Sequence, residues 1–447
     1  MTKGENQNAS AVKKRRKSSD PVDTLVFLIP CLACIQIKLI GVLNGSDVFF
    51  LIVFIFLAFR RKIRIATPAG KKFLFFCSLW LVSQCVTDVV RHSAFGDYAR
   101  GWSNIGITLV NFAVLCALAY GRPRRLVLYG WGLVTGSFLT FIITPDKFAD
   151  VDLWKFAFSF PVTLAVFLFA SRARCRGHWP ITLSVLIGVL NIYLGSRSLG
   201  GVCLAAALYL GVTRFLQRKE RRSHKLNTRS VVAIAASLGL GFFVALSAYQ
   251  YAASTGFLGN KARVEYREQS SGRYGLLLGG RTDMLGAFPA IYDSPILGHG
   301  SWAKDPTYVI AQHEALAALG YENAWEMSSE DLEEGLIPAH SYMLQAWVDA
   351  GILGAFFFAW VFVFAARVLM RVYPPNVVLL PVMALVGLTL LWNILFSPYG
   401  AEVRIIFPYY VVMLMSCQGM AAHETVKAAA STVKRKIDAT LAPLTQH

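Results

Sequence analysis

Two arginines and a histidine stand at the ends of apolar stretches, where an ionisable side chain is expensive and so a candidate for function. Arg197 lies in Gly195-Ser196-Arg197-Ser198, Arg281 in Gly280-Arg281-Thr282-Asp283, and His340 in Pro338-Ala339-His340-Ser341. Arginine is always charged, and its planar fork of N–H donors matches a phosphate. A neutral imidazole can accept a proton from a hydroxyl. The three together suit an anionic, lipid-borne group held by guanidiniums while a hydroxyl is activated beside it. The placement after Pro338 predicts His340 one or two residues inside a new helix, whose positive end would favour the neutral ring. Arg404, beside Glu402, and Arg273 are further candidate substrate contacts.

Each residue also has a structural reading. Arg197 could snorkel at a helix end. Arg281 could pair with Asp283 or Glu265 as loop scaffolding, and His340 could cap a helix. Arg263, Arg267 and Arg273 cluster as a solvated face would, and His299, between two glycines, reads as structural. Asp150-Val151-Asp152 could hold a divalent cation. The simpler reading is a pair of acids favouring a helix N-terminus. No Cys/His metal set occurs and none of the eight cysteines falls in 252–338, so neither a metal, a cofactor nor a disulfide framework is expected.

The elements that must position these groups are helices in a bilayer. The chain has 447 residues, of which 55% are hydrophobic and 16% charged, and a mean hydropathy of +0.50. That excludes an ordinary soluble protein. Twelve apolar stretches approach the ~20 residues that span a bilayer. They lie at 22–42, 46–59, 73–90, 102–120, 126–144, 153–170, 179–195, 198–215, 230–251, 340–366, 377–396 and 403–422. The expected fold is an all-α integral membrane protein of about twelve transmembrane helices. Residues 1–20 form a basic inner tail, 21–251 the first nine helices, 252–338 one long outer loop, 339–422 the last three helices and 423–447 an inner tail. The net charge of +18 sits mainly on alternate short loops, among them Arg60-Arg61-Lys62, Arg122–Arg125 and Arg218–Arg229. That is the positive-inside pattern, with both termini inside and anionic lipid headgroups in contact, and it argues against a nucleic-acid partner. Within the outer loop, Thr282–Tyr292 spaces Met284, Leu285, Phe288 and Ile291 on one helical face, and Tyr308–Leu319 forms a second amphipathic stretch.

The ordered set Gly280-Arg281-Thr282-Asp283-Met284, Ser294-Pro295-Ile296-Leu297-Gly298-His299-Gly300, Ala339-His340-Ser341-Tyr342-Met343-Leu344 and Gly351-Ile352-Leu353-Gly354 resembles the O-antigen ligase and polymerase family of bacterial membrane glycosyltransferases. Ser196-Arg197-Ser198 is similar to that family's first arginine motif. The resemblance covers roughly residues 180–370; the first six spans match in hydropathy alone. It implies a glycosyltransferase C-like helical fold in the inner membrane, with the outer loop in the periplasm. It implies a glycan on undecaprenyl diphosphate as donor and a glycan or lipid A core sugar as acceptor. By the same resemblance Arg197 and Arg281 contact the diphosphate and His340 works near the acceptor hydroxyl. Ser341 stands where many relatives carry Asn, as a second polar contact.

Such a donor has a good leaving group, so arginines that stabilise the departing diphosphate and a base on the acceptor suffice, and attack from the opposite side inverts the anomeric centre. The rival class is a multi-span transporter or flippase of lipid-linked or anionic substrates. Transporters tend to show repeated halves and broken helices at the midplane. This chain shows no repeat, and its polarity gathers at the outer mouth.

Overall fold

The computed structural model describes residues 20–420 except 64, 66, 146, 172–176, 220–227, 280, 323, 325–333, 372, 374–376 and 378. Gly280, the basic runs at 13–17, 172–176 and 434–436, and most of the acidic run 331–334 lie outside the described residues.

Among the described residues the chain is helical apart from one small hairpin and an isolated bridge between Lys304 and Leu336. Helix α1 (Pro21–Cys31) ends in a 3-10 turn, and strands β1 (Gln36–Lys38) and β2 (Val42–Asn44) pair antiparallel. The apolar stretch 22–42 is therefore not one helix. Ile35-Gln36-Ile37 has the β-branched alternation of a strand, Gly41 sits in the turn, and Asn44 with Asp47 forms the capping box that opens the next helix. Then follow α2 (Gly45–Phe59), α3 (Pro68–Arg91), α4 (Phe95–Ala119), α5 (Pro123–Ile143), α6 (Ser159–Ala170), α7 (Trp179–Tyr193), α8 (Arg197–Lys219) and α9 (Thr228–Ser254). Proline at the first turn opens α1, α3, α5 and α7, where the missing N–H costs no intrahelical bond.

Among the described residues the segment after α9 holds the short helices α10 (Gly259–Ser270), α11 (Leu276–Gly279), α12 (Met284–Asp293) and α13 (Pro306–Ala318). Helix α12 buries Gly286, Ala287 and Ala290; of the face expected to point inward, Met284 and Ile291 pack at the edge of the same core and Leu285 against a neighbouring cluster, while Phe288 is exposed. The small residues win because α12 packs closely on α13: a Cβ on Gly286 would sit 3.1 Å from the Tyr308 carbonyl. This segment shares a small core with the next membrane element, through Ala287, Ala290, Tyr308, Ile337, Leu344 and Val348. A second small cluster, Leu316, Tyr321 and Ala324 with Leu285 and Leu319 against it, lies within the segment itself.

Helices α14 (Tyr342–Ala350), α15 (Ile352–Leu369), α16 (Leu380–Phe396) and α17 (Val403–Met420) complete the fold. The stretch 340–366 is thus two helices. Gly351 parts them at φ 69°, ψ −161°, a conformation essentially confined to glycine. Among the described residues, seven helices are long and apolar enough to cross a membrane: α3, α4, α5, α8, α9, α15 and α17, over the spans Pro68–Arg91, Phe95–Ala119, Pro123–Ile143, Arg197–Leu216, Ala235–Ser254, Ile352–Leu369 and Val403–Met420. Five shorter apolar helices lie at Pro21–Cys34, Gly45–Phe59, Trp154–Ala170, Trp179–Tyr193 and Leu380–Phe396.

The last helix is the axis of the bundle, most of its length buried among the others. Around its start an aromatic cluster (Phe73, Trp80, Tyr342, Phe357, Phe358 and Phe407) ties α3, α14, α15 and α17 together through stacked and edge-on rings.

Candidate active site

The first arginine is placed by a tight helical hairpin. Helix α7 ends at Tyr193, Gly195 takes φ 89°, and Ser196 N–H bonds back to the Asn191 carbonyl at 2.8 Å, so α8 begins at Arg197 itself. The two helices touch closely: a Cβ on Gly200 would lie 2.7 Å from the Gly188 carbonyl. A cation at the positive end of a helix is unfavourable, and here an anion offsets it. Arg197 pairs with Glu265 at 2.8 Å, donates to Gln269 Oε1 at 3.1 Å and Tyr249 Oη at 2.8 Å, and lies over the Tyr249 ring. Thus α10 is the lid of this corner.

Arg281 arrives from the α11–α12 connection. It donates to Ser198 Oγ at 3.3 Å, and its guanidinium stacks over Trp392 at 4.9 Å and Phe396 at 5.2 Å, at the C-terminal end of α16. Burial lowers its pKa from the usual arginine value; Arg197 lowers it further, and Asp283 opposes both. Two guanidiniums from distant segments are therefore near enough to repel each other.

His340 is not in the helix that follows it. Ser341 takes the N-cap of α14, accepting Leu344 N–H at 3.2 Å and donating to the Ile394 carbonyl at 2.8 Å, and it is fully buried. The imidazole is left outside, about half exposed, with Nδ1 3.2 Å from Asp283 Oδ2. The expected help from the helix end is replaced by this carboxylate. His340 holds the Asp283 carboxyl below the usual carboxylate range, against desolvation, which raises it. Gln312 Nε2 adds a hydrogen bond to Asp283 Oδ1 at 3.3 Å. With Nδ1–H donated to Asp283, Nε2 carries the free lone pair. Asp283 is the participant the residue pattern did not single out; it was weighed only as a partner for Arg281.

Asp283 and His340 line one side of a cleft of about 790 Å³, together with Glu268, Glu334 and Asp349. The site has two compartments: a corner with two arginines against aromatic rings, and a cleft rimmed by acids. The Asp283–His340 pair stands between them.

Of the other candidates, Arg404 is almost fully buried and paired with Asp47 at 3.0 Å, with Asn111 bridging to Asp47 and to the Arg404 carbonyl. Its charge is neutralised where α2 meets α17, out of reach of a substrate. Arg273 is exposed and joins the fold through its backbone, N–H to the Leu319 carbonyl. Asp152 accepts Lys155 N–H at 3.0 Å and lies 3.5 Å from Lys261, a helix-start role. Among the described residues no three potential metal ligands gather.

The Pro-Ile-Leu-Gly-His-Gly run is a clamp. Arg91 donates to the Gly298 carbonyl and Ser294 Oγ, Thr87 to the Leu297 carbonyl, and His299 N–H to the Val348 carbonyl. The ring of His299 is taken by the Ala290 carbonyl at 2.7 Å and by the edge of Tyr308. Gly298 and Gly351 face each other, and a Cβ on Gly351 would sit 1.9 Å from the Ile296 carbonyl. Gly351→Ala should therefore cost about 1–3 kcal/mol in backbone strain alone, with the clash added to it. A lowered melting temperature in detergent, together with lost activity, is the expected result; an unchanged one would mean that the helix break is not fixed by this contact.

Residues 182–359 match the family model described as O-antigen ligase, a stretch that holds Arg197, Arg281, Asp283 and His340. No curated protein and no solved structure matches the chain.

Proposed function

We propose that the chain is an O-antigen ligase-like membrane glycosyltransferase, moving a glycan from undecaprenyl diphosphate to a sugar hydroxyl on the periplasmic face. The observation that carries this reading is the convergence of Arg197 and Arg281, the second reaching Ser198 next to the first, beside an Asp–His pair at the rim of an open cleft. A diphosphate bound here is met by both guanidiniums. The lipid tail leaves towards the bilayer past the aromatic rings under Arg281, and the glycan extends into the cleft. The apolar helices among the described residues, seven long and five short, are consistent with a glycosyltransferase C-like bundle, and the placement of the basic loops supports both termini on the cytoplasmic side. The basic loops then face inward, and 252–338 faces the periplasm.

In the reaction the acceptor hydroxyl gives its proton to His340 Nε2, while Asp283 stabilises the imidazolium that forms. The hydroxyl oxygen bonds to the anomeric carbon from the side opposite the diphosphate. The bond from that carbon to the phosphate oxygen breaks, and its electron pair stays on the diphosphate, where the two arginines hold the new charge. The anomeric centre is inverted. Positive charge comes from guanidinium, so no divalent metal is called for.

The test is transfer by the purified protein from a lipid-diphosphate-linked glycan to O-chain-free lipid A–core. Turnover is expected, and it should be the same with EDTA as without. Absence of any transfer overturns the reading. Loss with EDTA that magnesium restores would return Asp150 and Asp152 to the site as metal ligands.

A further inference from the structure

Residues 298–302 contain three left-handed backbone positions. Two are glycines, Gly298 at φ 85° and Gly300 at φ 97°; the third is Trp302 at φ 49°. A bulky residue there is a genuine departure from ordinary backbone preference. Among the described residues only Arg61 and His92 are other non-glycine cases, and both follow the last turn of a helix, where such a conformation ends it. Trp302 ends no helix.

The residue before it is held rigidly. Ser301 N–H and Oγ–H both donate to the Asp88 carboxylate, at 2.6 and 2.7 Å, Gln84 Nε2 reaches Ser301 Oγ at 2.9 Å, and Trp102 Nε1 donates to the same carboxylate at 2.7 Å. The chain then runs antiparallel to 335–337, with Asp305 N–H to the Gly335 carbonyl and Ile337 N–H to the Ala303 carbonyl. Continued by one residue, that register sets Trp302 beside Pro338, two residues before His340.

Trp302 lines the same cleft as His340 and is half-buried. Among the described residues its indole N–H makes no hydrogen bond and its ring stacks on no other. Asp349 lines the cleft too; its backbone carbonyl is used by Gln84 and Gly300, but its carboxyl group makes no hydrogen bond or ion pair among the described residues, and burial beside Asp88 pushes its pKa well above the usual carboxylate range, which favours the neutral acid. A strained backbone holding an aromatic face in an open cleft, with an unengaged carboxyl group lining the same cleft, matches the chemistry of a sugar ring. The ring's C–H face lies on the indole, and its hydroxyls exchange hydrogen bonds with the carboxyl group, which in its neutral form both donates and accepts.

We propose that Trp302 and Asp349 form the acceptor-sugar subsite, which positions the attacking hydroxyl against His340. This rests on reading the site as a glycan transferase. The test varies O-chain-free lipid A–core at saturating donor. Trp302→Gly relaxes the backbone and removes the platform. It should raise the acceptor KM about tenfold or more, as loss of a stacking aromatic does elsewhere, with donor affinity unchanged. Trp302→Tyr should recover most of the loss, and Asp349→Asn should raise the acceptor KM independently. If Trp302→Gly leaves the acceptor KM unchanged, or weakens donor binding equally, the subsite is wrong while the transferase reading stands. Wild-type protein that transfers nothing sinks the transferase reading itself. Should Trp302→Gly not accumulate, Asp349→Asn decides: an unchanged acceptor KM overturns the proposal.

Discussion

His340→Gln should transfer glycan roughly 10²–10⁴-fold more slowly than the wild type, the range that general-base catalysis typically contributes, and should still bind the lipid-diphosphate donor. Glutamine keeps a similar size and can still donate to Asp283 Oδ2, now 3.2 Å from the imidazole, but it cannot take up a proton. The donor's charge is met by Arg197 and Arg281, which do not depend on the ring for their positions. Donor affinity and single-turnover rate, measured on the same preparation, separate the two roles. A glutamine variant that turns over at close to the wild-type rate would make His340 an orienting residue and place acceptor activation elsewhere.

Arg281→Lys should lose about 10²–10³-fold in turnover, comparable to removing one preorganised donor from a developing oxyanion. The exchange keeps a cation and loses geometry. A guanidinium can lie flat over Trp392 and Phe396 and still present two N–H groups to one phosphate; an ammonium on a flexible stem presents a point charge. Burial and the neighbouring Arg197 push this position's pKa down. Arginine tolerates that and stays charged, whereas lysine starts nearer neutrality and is more easily discharged. Lipid-linked product formed in cells, at matched protein levels, reads the effect. Near-normal output from the lysine variant would mean that any positive charge serves.

The apolar runs were legible in the sequence because a bilayer imposes length and composition on whatever crosses it. The two arginines and the histidine were legible because charge there is costly. Partnership was not. Asp283 was read as a companion for Arg281, two residues away, yet it faces His340, 57 positions on in the chain; nothing local announces such a pair. Ser341 was read as polar contact chemistry, but a serine followed by a helix is also an N-cap, and the unpaired N–H groups at the helix start claimed it. Arg404 looked available until Asp47, far away in sequence, met it in the interior. Hydropathy also ran 22–42 together as one span, because a β-hairpin of apolar residues averages like a helix.

The grip of α3 on residues 294–301 has a consequence for how the chain can be divided. Residues 182–359 match a family model, which invites treating them as a portable unit. Yet Gln84, Thr87, Asp88 and Arg91, a hundred residues before that stretch begins, supply the bonds that give its glycine-rich run a fixed shape. The N-terminal bundle is the mould in which the reactive half is cast. A graft of 182–359 onto other helices would carry the reactive side chains without the surface that sets the distance between them.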